Sequence, residues 1–451
     1  MQINRVIINI KMLRGILVVL LIGSLTLPAF SNILQTDEEH GAGEDEKEFL
    51  FSVVPSKKDA IFKTGDKISY KVKVHNPFDV VQEGTVSFLL TSLDNKEVAQ
   101  NSVKVKFDKR SSGEYSLSVP QQKEPGFYKI SIMINVTEYD DTLRKVIGIN
   151  PQQIVSKNPK PADFDKFWAD AATELSAVKP GFKMTEQPVM EQNGIKVYLV
   201  EMQSLNNLTI RGWLTMPKNR KEKDKLPVWV VMPGYGGTGV KPIYAQGGLA
   251  VLSLNVRGQG NSRDVIHPTY DGYLTEGIEY RDKYILRGAL MDGMRGIDFV
   301  MSRPELDPKN ITVSGASLGG YFSIALASLD KRVKLCSSNN PVFSDWRALN
   351  SSEWPMSGLI KYSKARFVPL NKLLDNLDYF DLKNFTNGLE CKALIGIGLL
   401  DHLAPAYNQY AMLNNIPGPY KLFVYPDLTH EVPQSIYEYF IKWMMDEYGI
   451  F

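Results

Sequence analysis

From Phe49 to about Asn150 apolar and polar residues largely alternate with a period of two. The runs are Lys67–Asn76, Gly84–Thr91, Ser102–Asp108, Gly113–Pro120 and Gly126–Thr137, separated by turn residues such as Asn76-Pro77, Asp94-Asn95 and Pro125-Gly126. Alternation of this kind sets one face of each strand on a core and the other in water. Short strands at this spacing predict an antiparallel β-sandwich of immunoglobulin-like kind over residues 48–150. His75, at a strand end, reads as a surface histidine. The pattern stops in a proline-rich connector, residues 151–162, and Asp163 then opens a helix to Val178 with Phe164, Phe167 and Trp168 on one face. Beyond it, strand-like runs alternate with helical stretches: Val197–Met202, Thr209–Met216, Leu226–Met232, Leu249–Val256, Ile311–Gly315, Val333–Cys336, Ala393–Gly398 and Lys421–Tyr425. The later runs are mostly apolar throughout, as strands are when helices cover both faces of a parallel sheet. The prediction for residues 163–451 is a doubly wound α/β architecture with a mostly parallel sheet.

The N-terminus follows another pattern. Arg5, Lys11 and Arg14 precede an apolar run from Gly15 to Pro28, and Ala29-Phe30-Ser31 supplies small residues for cleavage. Residues 1–31 therefore read as a signal peptide of a secreted or periplasmic protein. The alternative, a membrane anchor, is disfavoured because the run is short for a span and acidic sequence follows at once. Without a cysteine in the segment, a lipid anchor is disfavoured too. Residues 32–47, including His40, read as a flexible acidic linker.

The 451 residues suit two or three domains, and 43% hydrophobic content is enough for real cores. The 52 basic residues nearly cancel the 50 acidic ones and form no stripe, which argues against nucleic acid and for a neutral or weakly charged substrate. The two cysteines, Cys336 and Cys391, read as opposite ends of neighbouring strands, about 15–20 Å apart. A disulfide needs Cα atoms within about 7 Å, so two buried thiols are expected, and no Cys/His cluster suggests structural zinc.

The chemistry concentrates at Ile311-Thr-Val-Ser-Gly-Ala-Ser-Leu-Gly-Gly320, where a buried strand runs into a glycine-flanked serine and then helical sequence. This is the nucleophile elbow of an α/β-hydrolase, with Ser317 as nucleophile. Only five histidines are present. His267 lies upstream of the serine and His402 directly follows a strand-end aspartate; His430, after the strand Lys421–Tyr425, fits the serine–acid–histidine chain order. Asp401, closing the preceding strand, is the expected acid, and Asp427, on the histidine's own loop, is its rival. The oxyanion hole would combine the backbone N–H of Leu318 with that of Tyr235, in the glycine-rich break after Val228–Met232.

These residues resemble the acetyl xylan esterase and cephalosporin C deacetylase family, family seven of the carbohydrate esterases, from about Asp163 to the C-terminus. The likeness is carried by Arg257-Gly-Gln-Gly260, the elbow, the pair His430-Glu431, Asp163-FDKFW-Ala169, Ile210–Asn219, Tyr284–Pro308 and Phe343-SDWR-Ala348. The family usually has glutamine after the nucleophile, where this chain has Leu318, and histidine-glycine-tyrosine where it has Pro233-Gly-Tyr235. Both departures keep the backbone donors and bear on substrate preference. The resemblance implies two-step acyl transfer with no metal or organic cofactor, and acetate on a sugar or xylo-oligosaccharide as substrate. It assigns Arg257, Gln259 and Glu431 to structural support. Phe343, Trp346 and Trp354 could wall a substrate pocket or form the core of the cap. The family's ring-like homo-oligomers are implied as well, and the added sandwich could disturb them. Two other readings stay open: a serine peptidase of prolyl-oligopeptidase-like kind, for which the sandwich is too short to be a propeller, and a glycan-binding protein with an inert hydrolase part.

Overall fold

The computed structural model describes residues 49–221, 223–268 and 270–450; the predicted signal peptide and acidic linker, with His40, lie outside them. Eight strands make up the N-terminal part: β1 (Leu50–Pro55), β2 (Ile61–Phe62), β3 (Ile68–Asn76), β4 (Gln82–Ser92), β5 (Glu97–Phe107), β6 (Ser111–Val119), β7 (Gly126–Val136) and β8 (Tyr139–Ile149). They form two sheets, β1-β3-β6 and β2-β8-β7-β4-β5. All pairs are antiparallel except β2 with β8. The alternation becomes burial: Tyr70, Val72 and Val74 of β3 and Val86, Phe88 and Leu90 of β4 are interior. Periodicity predicts five of these strands and misses β1, β2 and β8. In β8 the residues Asp140, Asp141, Arg144 and Lys145 break the apolar rhythm until Val146–Ile149, which are buried. His75 is exposed, its Nδ1 2.9 Å from the Ser112 hydroxyl.

After the helix Phe164–Ala177, nine strands build a third sheet: β9 (Lys183–Glu186), β10 (Ile195–Gln203), β11 (Thr209–Pro217), β12 (Leu226–Val231), β13 (Ala250–Asn255), β14 (Leu306–Ala316), β15 (Leu335–Asn339), β16 (Lys392–Gly398) and β17 (Tyr420–Tyr425). Their order is β17-β16-β15-β14-β12-β13-β11-β10-β9. β12 to β17 run parallel, and β11, β10 and β9 extend the sheet by antiparallel pairing. From β12 the chain pairs β13 on one side, then places β14 on the other. Such a reversal opens a crevice at the carboxyl ends of the flanking strands. The segments holding Tyr235 and Ser317 follow β12 and β14 directly.

β15 corrects the expectation for the cysteines. The strand begins at Leu335 and continues through the buried polar residues Ser337, Ser338 and Asn339, so Cys336 stands near its start. Cys336 pairs with Ala393, two residues beyond Cys391, which puts the thiols at the same sheet edge rather than at opposite strand ends. Both are free, and burial pushes the Cys391 thiol up to about 11.

The β-rich part and the large sheet share one buried core. Phe127 of β7 packs on Tyr410 of the helix Ala406–Leu413 at 5.4 Å. The Asn414 side chain donates to the Pro151 and Ile154 carbonyls. Lys145 of β8 donates to Asp427 at 2.6 Å, three residues before His430. Among the described residues no helix is long and apolar enough to cross a membrane.

Candidate active site

Ser317 stands between β14 and the helix Leu318–Leu329, at φ +58° and ψ −120°. A side-chain-bearing residue held there costs about 1–3 kcal/mol, so the surroundings must fix it. Two glycines permit the turn. A Cβ on Gly315 would come within 2.5 Å of the Gly319 backbone, and one on Gly319 within 2.6 Å of the Met232 carbonyl. The elbow thus lies directly on the end of β12, where the Met232 N–H also donates to the Ser314 carbonyl at 2.9 Å.

His430 Nε2 lies 2.8 Å from Ser317 Oγ, and its Nδ1 lies 2.7 Å from Asp401 Oδ2. The other carboxylate oxygen of Asp401 accepts the backbone N–H groups of Leu403 and Ala404, each at 2.9 Å. With its side chain fully buried and these donors fixed, Asp401 has one oxygen aimed at the imidazole. Asp427, the rival, points to Lys145 instead, and its side chain is 63% exposed. His267 and His402 are both exposed.

Leu318 is the first residue of its helix, where a backbone N–H has no acceptor within the helix. The Tyr235 loop is tied down by Gln259, whose Nε2 donates to the Gly234 carbonyl at 3.1 Å and whose Oε1 accepts from Gly237 N–H at 3.2 Å. Arg257 is buried and makes an ion pair with Asp292 at 2.8 Å. Its other N–H groups donate to the same carboxylate and to the Leu205 carbonyl, and its own carbonyl accepts from the Tyr273 hydroxyl, so it braces the chain around the loop. Glu431 is exposed; what ties it to the site is its backbone carbonyl, which accepts from Asn340 Nδ2 at 2.9 Å.

For the aromatics between the elbow and Asp401, expected either to wall a pocket or to form a core, the structure gives the degree of burial. Phe343 is 3% exposed and Trp346 0%, and they stack on each other at 4.7 Å. Their burial favours the packing role over a sugar-stacking one. Trp354 is the half-buried aromatic of this group, edge-on to Tyr235 at 5.2 Å. Sequence reasoning missed Asp292 and Asn340 altogether. Their partners lie 35 and 91 positions away, and no local pattern marks them.

A family model described as acetyl xylan esterase matches residues 151–447. The chain belongs to the acetyl xylan esterase family. "Acetyl esterase Axe7A" of Xylanibacter ruminicola is 25% identical over 404 residues, covering 85% of this chain and 87% of that protein. That share exceeds what residues 151–451 make up, so the alignment reaches into the β-rich part. Among solved structures, an acetyl xylan esterase from Paenibacillus sp. R4 has a TM-score of 0.61 at 26% identity, over 66% of this chain and 98% of that one. Acetyl xylan esterase 1 from Thermoanaerobacterium sp. JW/SL YS485 has a TM-score of 0.59 at 25% identity, over 66% and 97%. The larger sheet therefore has the α/β-hydrolase fold of the acetyl xylan esterase family, and the chain is a carboxylic ester hydrolase.

Proposed function

We propose that this protein is an exported carbohydrate acetylesterase that works through an acyl-enzyme on Ser317. The observation that carries the reading is the unbroken series Ser317 Oγ–His430–Asp401, at 2.8 and 2.7 Å, in the crevice at the sheet's switch point. His430 takes the Ser317 proton as the hydroxyl attacks the ester carbonyl. Asp401 holds the imidazole tautomer and steadies the imidazolium. The Leu318 and Tyr235 N–H groups face the oxyanion, and the helix N-terminus at Ser317 favours the charge that develops there. His430 then protonates the leaving alcohol, and water, activated by the same imidazole, releases the acyl group.

Membership of the acetyl xylan esterase family supports acetate on a sugar as the substrate, and the half-buried Trp354 beside Tyr235 is a surface a sugar ring could meet. The strand order β1-β3-β6 against β2-β8-β7-β4-β5 supports an immunoglobulin-like reading of the N-terminal part. The basic and apolar pattern of residues 1–31 supports export.

Hydrolysis of p-nitrophenyl esters of increasing acyl length tests the reading, followed by acetate release from acetylated xylo-oligosaccharides. Acetate esters should be the preferred substrates, with acetate released from the sugar. A preference for long acyl chains would sink it.

A further inference from the structure

We propose that Asn340 is a positioning residue, whose side chain holds the acid and base segments in register with the nucleophile; the assignment rests on the acyl-enzyme reading above. Asn340 follows the last residue of β15 and is 3% exposed. Its Oδ1 accepts the N–H of Gly398, the last residue of β16, at 2.9 Å. Its Nδ2 donates to the carbonyl of Glu431, the residue after His430, at 2.9 Å. Its backbone N–H donates to the Gly396 carbonyl at 2.8 Å. The preceding residue completes the set, because the Asn339 carbonyl accepts the N–H of Ser317 itself at 2.9 Å. Two adjacent residues therefore touch the segments bearing Ser317, Asp401 and His430.

The side chain required is narrowly defined. It must accept from one segment and donate to another, which a carboxylate cannot do and an aliphatic group cannot begin to do. It must also be short and tolerate φ +43°, a left-handed conformation in which asparagine is the favoured side-chain-bearing residue. The two loops are already close: a Cβ on Gly398 would sit 2.3 Å from the Thr429 carbonyl, next to His430. What Asn340 adds is register. Without its bridge the loop carrying His430 has one fewer fixed point against the strand that ends before Asp401, and the imidazole would sample positions off the line between Ser317 and Asp401.

Two variants of the full-length protein test this. Asn340→Gly keeps the left-handed backbone free of strain and removes both side-chain bonds. Asn340→Asp keeps the size and the acceptor for Gly398 but cannot donate to Glu431. With p-nitrophenyl acetate as probe, kcat should fall about 10–100-fold in each, the cost of misplacing a reacting group by about an ångström. KM should stay within about threefold, because substrate contacts are untouched. Circular dichroism should report a native fold, and the downfield proton resonance of the His430–Asp401 hydrogen bond should broaden or vanish. An unchanged kcat in folded Asn340→Gly overturns the proposal, and so does a loss of kcat with that resonance intact. Wild-type kcat in Asn340→Asp overturns it too, since filling the space would then suffice. Ser317→Ala separates the two layers. If it stays active, the acyl-enzyme reading falls; if it is inactive while Asn340→Gly keeps its kcat, only the role of Asn340 falls.

Discussion

Gln259→Leu probes the oxyanion loop without touching any reacting group. The Gln259 side chain is buried, and its amide spans the loop from the Gly234 carbonyl to the Gly237 N–H, with Tyr235 between them. Leucine keeps the volume and removes both bonds, together with the side-chain hydrogen bond between Gln259 and the buried Tyr273 hydroxyl. Gly234 is exposed and Gly237 partly so, hence water can replace each partner, and each lost bond should cost about 0.5–1.5 kcal/mol of stability. Activity should suffer more than stability. Complete loss of one oxyanion donor costs about 10²–10³ in kcat. A Tyr235 N–H that is loosened rather than removed should cost about 10–100-fold, with KM little changed. Steady-state kinetics on p-nitrophenyl acetate and a urea melt measure the two quantities separately. A variant that loses stability by this amount yet keeps kcat within about threefold would refute the reasoning, because the loop would then be aligned by something other than Gln259.

Asp401→Asn should lower kcat about 10⁴-fold by upsetting the imidazole tautomer. Asp427→Asn should leave kcat nearly unchanged and lose at most about 1 kcal/mol with its surface ion pair to Lys145; the reverse ranking would make Asp427 the acid. Trp354→Ala should reduce kcat/KM on acetylated xylo-oligosaccharides about tenfold, the scale of one aromatic contact, while sparing p-nitrophenyl acetate. Equal losses on both would deny it a sugar-facing role. Burial lifts the Asp381 carboxyl to about 7, with nearby Lys383 opposing and Asp345 adding to the rise. The folded chain therefore holds a proton that the unfolded chain releases near about pH 4, so this group's contribution to stability is lost as pH climbs through that window to about 7. Melting temperatures of wild type and Asp381→Asn between those limits should converge at the acid end and favour the variant at the neutral end; parallel curves would contradict it.

The sequence made part of this legible, and the divide has a physical basis. That Ser317, Asp401 and His430 would meet could be anticipated because an elbow needs glycines at fixed offsets and because histidine is scarce. The parallel strands showed as apolar runs because both their faces are covered. β15 was predicted to end three residues early because Ser337, Ser338 and Asn339 are polar yet interior, a state only tertiary contacts can produce. Burial of Phe343 and Trp346 was equally unreadable, since an aromatic in an insertion looks the same whether it lines a cleft or fills a core. Asn340 and Asp292 act across long sequence separations, where spacing carries no information.

The central claim is that Ser317 forms an acyl-enzyme, and rapid mixing with p-nitrophenyl acetate followed by acid quench and peptide mass analysis tests it most directly. The account predicts an acetyl group on the peptide containing Ser317, and none in Ser317→Ala. An acetyl group on another residue, or turnover that persists in Ser317→Ala, would contradict it.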